Sequence, residues 1–203
     1  MTNRLHLDDL PDNYAPGTVL AVDTETLGLD PHRDRLCLVQ ISRGDGDADL
    51  VQIRPGGGNA PNLGRVLADA NVLKLFHFAR FDMAVLYHRL GVMPGPVWCT
   101  KIGSKLTRTY TDRHGLRDLV RELLGFEISK QQQSSDWGAP TLTEAQLAYA
   151  ASDVLHLHVL KGKLEAFLIR EHRLDLANAC FDFLPTRAKL DLGGWGGDIF
   201  AHE

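Results

Sequence analysis

Three β-rich segments follow one another almost without pause: TVLAVDT (18–24), RLCLVQIS (35–42) and ADLVQI (48–53), divided by stretches punctuated with Gly, Asp and Pro. Connections this short leave no room for a parallel crossover, so the three are expected to pair as an antiparallel meander. PGGGNAPN then breaks the pattern, LGRVLADA (63–70) reads as a helix, VLKLFHF (72–78) as a buried strand, and 79–90 as a helix that Gly91 terminates. Three strands followed by helix, strand and helix predict an α/β domain with a mixed sheet flanked by helices.

The second half is helical by pattern. WCTKIGSKLTRTY and GLRDLVRELLGFE carry apolar residues at three- and four-residue spacing, among them Leu116, Leu119, Val120, Leu123 and Leu124. A polar loop, KQQQSSDWGAP, separates them from a long helix that starts at Thr143, where Gln146 completes a capping-box pattern. That helix is expected to run to about Arg170, with another near Leu174–Phe183. No repeat or linker interrupts the chain, so 1–203 reads as a single domain ending in a Gly-rich tail at about 191–203.

Against this frame, four acids and a phenol stand out: Asp23 and Glu25 in AVDTETLGL, Asp82 in HFARFD, and Tyr149 and Asp153 in YAASD. Asp23 and Glu25 sit two apart at a strand end and emerge on one side of the pleat. Tyr149 and Asp153, at i and i+4, share one helix face. Taken singly, each has an ordinary explanation: a solvated acid, a first-turn acid favoured by the helix dipole, a core aromatic. Together they form a set of hard oxygen donors of the kind that selects Mg²⁺ or Mn²⁺ over softer ions.

The same residues carry a family resemblance. DTETLGL, HFARFD and the YxxxD of YAASD match, in order and type, the three motifs of the DEDD 3′–5′ exonucleases, and the tyrosine marks the DEDDy branch. HGLRDLVRELLGFEISKQQQSSDW resembles the corresponding stretch of RNase D. The resemblance, spanning roughly Val19 to Leu168, implies a ribonuclease H-like fold and an enzyme that uses two divalent cations to release nucleoside 5′-monophosphates. It implies that Asp23, Glu25, Asp82 and Asp153 are metal ligands and that Tyr149 directs the attacking water. A phenol of ordinary pKa, about 10, is a poor base at neutral pH, so the metals must supply the nucleophile and the phenol its direction. Thr26, Leu27, His77, Phe78 and Gln133 are the candidate substrate contacts. Leu27 occupies the place where relatives wedge the terminal base, with ordinary packing as its alternative, and Phe78 could stack on a base or sit in the core.

Composition narrows the partners. There are 22 Lys and Arg against 26 Asp and Glu, a net charge of −4, which argues against a broad electrostatic grip on long nucleic acid. Lys101, Lys105 and Arg108, and Arg113, Arg117 and Arg121, form stripes that could touch phosphates, though such stripes are more often solvated. Cys37, Cys99 and Cys180 lack disulfide or zinc spacing, and His156 and His158 point in different directions on their helix. No run of about 18 apolar residues suggests a membrane span, and the start lacks a signal segment, so a cytoplasmic address is expected.

Size, the HFARFD motif and the ending DIFAHE resemble the short RNase D-like subgroup known as nanoRNase C, which acts on dinucleotides and very short RNA and assembles into rings, reported as octamers. The expected partners are therefore a short RNA or dinucleotide and further copies of the chain, with Trp195, Ile199 and Phe200 as candidate docking residues or a frayed end. Two alternatives stand beside this: a general RNase D-like enzyme that trims structured RNA or also digests single-stranded or duplex DNA, and a catalytically silent nucleic-acid-binding protein.

Overall fold

The computed structural model describes residues 2–129 and 131–202; Met1, Glu203 and Lys130 of the polar loop lie outside the described residues. A six-stranded mixed sheet organises the chain. Its strands are β1 (Asn3–Leu7), β2 (Val19–Thr26), β3 (Leu36–Ser42), β4 (Ala48–Gln52), β5 (Leu73–Phe76) and β6 (Val97–Cys99), in the spatial order β1-β4-β3-β2-β5-β6. β2, β3 and β4 form the expected antiparallel meander, while β1 runs parallel to β4 and β5 lies parallel to both β2 and β6. Every residue of β3 and β4 is buried, because both faces of these central strands are covered.

Two strands depart from expectation. β1 falls in what reads as a polar lead-in, since its NRLHL pattern alternates half-buried and exposed residues at an edge. β6 occupies Val97–Cys99, where the helical pattern was expected to begin at Trp98; helix α3 (Thr100–Thr107) starts only after the third strand residue.

Helix α1 (Pro61–Ala68) and α2 (Ala79–Leu90) flank the first half, and α2 ends at Gly91 with φ 69°, where the Gly91 N–H donates to the Tyr87 carbonyl. A left-handed residue here closes the helix without a Cβ penalty. α4 (Leu116–Leu119) continues directly into a π-helical turn at Val120–Leu124. The long helix is in fact two: α5 (Glu144–Leu155) packs on β2, β3 and β4, and α6 (Leu157–Arg170) packs on α3, with His156 at φ −104° between them. The chain changes packing partner at that residue, so one straight axis cannot serve both contacts. α7 runs Leu174–Leu192, well beyond Phe183, and packs on α2 and β6.

The capping box at Thr143 forms as expected. The Gln146 N–H donates to Thr143 Oγ1 (3.2 Å) and the Thr143 N–H donates to Gln146 Oε1 (2.9 Å). Gln146 Nε2 also donates to the Asp136 carbonyl at 3.0 Å, tying the polar loop to the start of α5.

Candidate active site

The acids meet where β2 leaves the sheet. Asp23 and Glu25 project from one face of β2, and the β2–β3 register shifts between Glu25 and Thr26. A bulge of this kind bends the strand and re-aims its last side chains. Asp153, on the face of α5 that lies over β2 and β3, completes a cluster: one carboxylate oxygen from each of Asp23, Glu25 and Asp153 lies within 4.8 Å of the others.

Asp82 approaches the same strand from α2. It sits in the first turn of α2, is 3% exposed, and accepts a hydrogen bond from Thr24 Oγ1 at 2.7 Å. Asp82 is outside the three-oxygen cluster, yet it is close enough to raise the pKa of both Asp23 and Glu25.

Burial and mutual repulsion push all four carboxyls towards the protonated form. Asp23 is raised well above the usual range by burial first, then by Asp82, Asp153 and Glu25. Glu25 is pushed up to about 9 by burial, then by Asp153 and Asp82. Burial also raises Asp153, and it raises Asp82 against the opposing hydrogen bond from Thr24. Four acids that cannot ionise comfortably beside one another are suited to cations that would neutralise them, and their oxygens match hard divalent ions.

A cleft of about 310 Å³ opens over these acids, lined among others by Asp23, Glu25, His77, Phe78, Tyr149 and Asp153. Tyr149 packs against Trp137, ring centroids 6.0 Å apart, and burial together with Asp153 raises its phenol above the ordinary value. It stays protonated at neutral pH and can donate a hydrogen bond. His77 is held neutral: burial, aided by the Lys101 charge, lowers it to about 3, and its Nδ1 lies 2.9 Å from Thr100 Oγ1. Phe78 adopts φ 71°, a conformation that costs a bulky residue about 1–2 kcal/mol, and carries Lys101 Nζ 4.2 Å from its ring centroid.

Of the other expected contacts, Gln133 lines the cleft. Leu27 is exposed, and its N–H donates to the Arg35 carbonyl at 3.2 Å. Thr26 donates its hydroxyl to the Gly28 carbonyl (2.5 Å) and is absent from the cleft lining. The basic stripes divide: Lys101 and Arg117 face the cleft, whereas Arg108 is buried, paired with Glu122 and donating to the Arg113 carbonyl at 2.6 Å. Arg108 is thus a bracing residue of α3, unavailable to phosphate. The sequence reading missed Gly115, Leu116, Asp118, Ile128 and Ser129 in the cleft wall. Asp118 reads as an ordinary helix acid and the other four carry no chemical signature, so only the chain path after α3 brings them there.

Comparison with known proteins supports the family. A profile of the 3′–5′ exonuclease domain matches residues 2–169. Ribonuclease D of Gluconacetobacter diazotrophicus is 37% identical over 156 residues, 77% of this chain and 39% of that protein, so the chain spans about two fifths of the length of such relatives. DNA polymerase I of Aquifex aeolicus is 36% identical over 73% of this chain and 24% of its own. Among solved structures, Brucella melitensis NrnC with bound Mg²⁺ superposes with a TM-score of 0.95 at 61% identity, covering all of both chains. Escherichia coli RNase D superposes with a TM-score of 0.74 at 26% identity, over 85% of this chain and 45% of that one. The fold, the carboxylate cluster at the end of β2 and these matches agree: the chain belongs to the 3′–5′ exonuclease family, in its RNase D-like, NrnC-type branch.

Proposed function

We propose that this chain is a two-metal-dependent 3′–5′ exoribonuclease that releases nucleoside 5′-monophosphates from dinucleotides and short oligoribonucleotides. The observation that carries the reading is the convergence of Asp23, Glu25 and Asp153 on one point, with Asp82 close enough to raise the pKa of two of them. In this reading Asp23, Glu25, Asp82 and Asp153 together would hold the two cations. The cations, Mg²⁺ or Mn²⁺, supply when bound a nucleophile at neutral pH and neutralise charge that builds on the phosphate.

The chain's own groups do the rest. Tyr149, protonated, directs the attacking water by hydrogen bonding. Lys101 and Arg117 face the cleft as the cations available to phosphate oxygens, and the exposed ring of Phe78 offers a stacking face. Leu27, which is exposed, is the proposed wedge for the terminal base, with Thr26, His77 and Gln133 as further proposed contacts. A B. melitensis NrnC structure bound to pGG, 61% identical with complete coverage, supports a dinucleotide as the substrate. The exposed Trp195, Ile199 and Phe200 support a homo-oligomer, and an octamer is the assembly proposed.

The test is turnover of a diribonucleotide, a short oligoribonucleotide and a long single strand, each with Mg²⁺, Mn²⁺ or chelator. Fastest cleavage of the diribonucleotide, lost with chelator, is expected. Equal rates at every length would reject the short-substrate claim, and activity in chelator would reject the metal claim. The RNase D relatives favour one competing reading, in which longer structured RNA or DNA is the substrate, and the same assay with a structured RNA and a DNA strand decides it.

A further inference from the structure

Beneath the acids the sheet holds a polar side chain that does nothing visible for the fold. Gln40 lies in the middle of β3 between Val39 and Ile41, is 0% exposed, and neither its Oε1 nor its Nε2 meets a hydrogen-bond partner. Burying an amide in this state is costly, and an apolar residue of the same shape would remove the cost. A group kept there against stability needs another reason.

Its neighbours supply one. β3 pairs Gln40 with Asp23 on β2 and with Leu50 on β4. Residues directly paired across antiparallel strands put their side chains on the same face, a few ångströms apart. Leu50 offers nothing polar, so Asp23 is the polar neighbour in register. The face they share is the one from which Asp153 joins Asp23 and Glu25.

Asp23 and its neighbour Asp82 are supported unequally. Asp82 has a dedicated side-chain donor, the Thr24 hydroxyl at 2.7 Å. Among the described residues, no side-chain donor reaches Asp23, whose hydrogen-bonding support is the backbone of Thr24. A carboxylate that ligates a cation needs donors for its remaining lone pairs, and those partners fix its orientation and tune affinity. One acid lacks a side-chain donor, and the adjacent buried amide lacks any partner.

We infer that Gln40 is a positioning residue for the metal centre, whose amide orients the Asp23 carboxylate, directly or through one bound water, when cations are held. This rests on the reading of Asp23 as a metal ligand. Gln40 touches neither substrate nor the reacting phosphate; it acts through Asp23 alone.

The experiment is Gln40→Met, an unbranched replacement of similar length, with three readouts on the full chain: Mn²⁺ affinity by calorimetry, the melting temperature of the chelated protein, and turnover against Mn²⁺ concentration. Affinity is expected to fall about 10- to 100-fold. The melting temperature of the metal-free protein is expected to hold or rise, because the unpaired amide is gone, and added Mn²⁺ should restore turnover towards wild type. Unchanged Mn²⁺ affinity would overturn the inference, and so would weaker binding accompanied by a lower metal-free melting temperature, since that pattern belongs to a residue holding the sheet. If the wild-type chain itself binds no Mn²⁺, the metal-centre reading fails first, which separates the two failures.

Discussion

The acids at the end of β2 and the wall that faces them across the cleft, Gly115 to Ser129 with Gln133, are held by different physics. Asp23, Glu25, Asp82 and Asp153 stand on a strand end and two helices packed on the sheet, and their carboxyls are positioned by a buried scaffold that repels their charge. The wall is a four-residue helix, a π-helical turn and a loop, stitched by ion pairs in water: Arg117 to Glu127 at 3.0 Å, Arg121 to Asp118 at 2.7 Å, and Arg121 to Glu127 at 3.9 Å. Exposed pairs of this kind contribute about 0–1 kcal/mol each. The difference assigns roles: the floor stores the chemistry in a geometry that barely relaxes, and the wall can rearrange cheaply around whatever enters.

The most damaging change should therefore be on the floor. Asp82→Asn keeps an oxygen for Thr24 Oγ1, so the fold should survive while a proposed charged metal ligand is lost. Removing several kcal/mol of metal-assisted stabilisation predicts a drop in kcat of at least about 10³-fold. Near-normal turnover would break the distinction between floor and wall. Tyr149→Phe leaves every carboxylate in place and deletes only the hydroxyl proposed to direct the attacking water. We expect kcat to fall roughly 10²-fold, with Mn²⁺ affinity by calorimetry unchanged; a matching loss of metal affinity would make the phenol part of the metal shell instead.

The stored repulsion should also show as stability. Glu25 titrates at about 9 in the fold against an ordinary value of 4.5, so the folded protein binds more protons than the unfolded chain between those values. Stability from this group is fully present below pH 4.5 and is lost as pH rises towards 9. The chelated protein is expected to lose on the order of 5 °C in melting temperature between mildly acidic and mildly alkaline buffer. Glu25→Gln should flatten that slope, and Mn²⁺ should raise the melting temperature more at the alkaline end. A melting temperature rising with pH in chelator would contradict a strained floor.

The floor was legible in the sequence residue by residue, whereas of the wall only Gln133 and the Arg117 stripe were. Tyr149 and Asp153 share a face through local helical spacing, and the Thr143–Gln146 cap marks where that helix begins. Asp23 and Glu25 follow from strand alternation. Ile128 and Ser129 enter the cleft only through the path of a loop, and Leu116 through the placement of a four-residue helix, neither of which periodicity encodes. Long-range pairing hid other features: β1 joins the sheet parallel to β4, β6 has three residues, and Arg108 reads as a surface cation although Glu122 and the Arg113 carbonyl hold it inside. Gln40 reads as one more residue of a buried strand until its register with Asp23 is known.

The smallest effects belong to the wall, and Arg117 tests it most directly. Its guanidinium faces the cleft while its Nε donates to Glu127 Oε2, so contact with a substrate phosphate requires it to leave that carboxylate. Since the pair is exposed, leaving costs at most about 1 kcal/mol. Arg117→Gln is expected to raise KM about five- to tenfold with kcat nearly intact and to weaken the dependence of KM on salt, because one screened phosphate contact is gone. Glu127→Gln should move KM the opposite way, by a few-fold, because it frees Arg117 without adding any contact. If both variants raise KM equally, the ion pair is a brace that shapes the loop rather than a latch that competes with substrate, and the wall would share the fixed character of the floor.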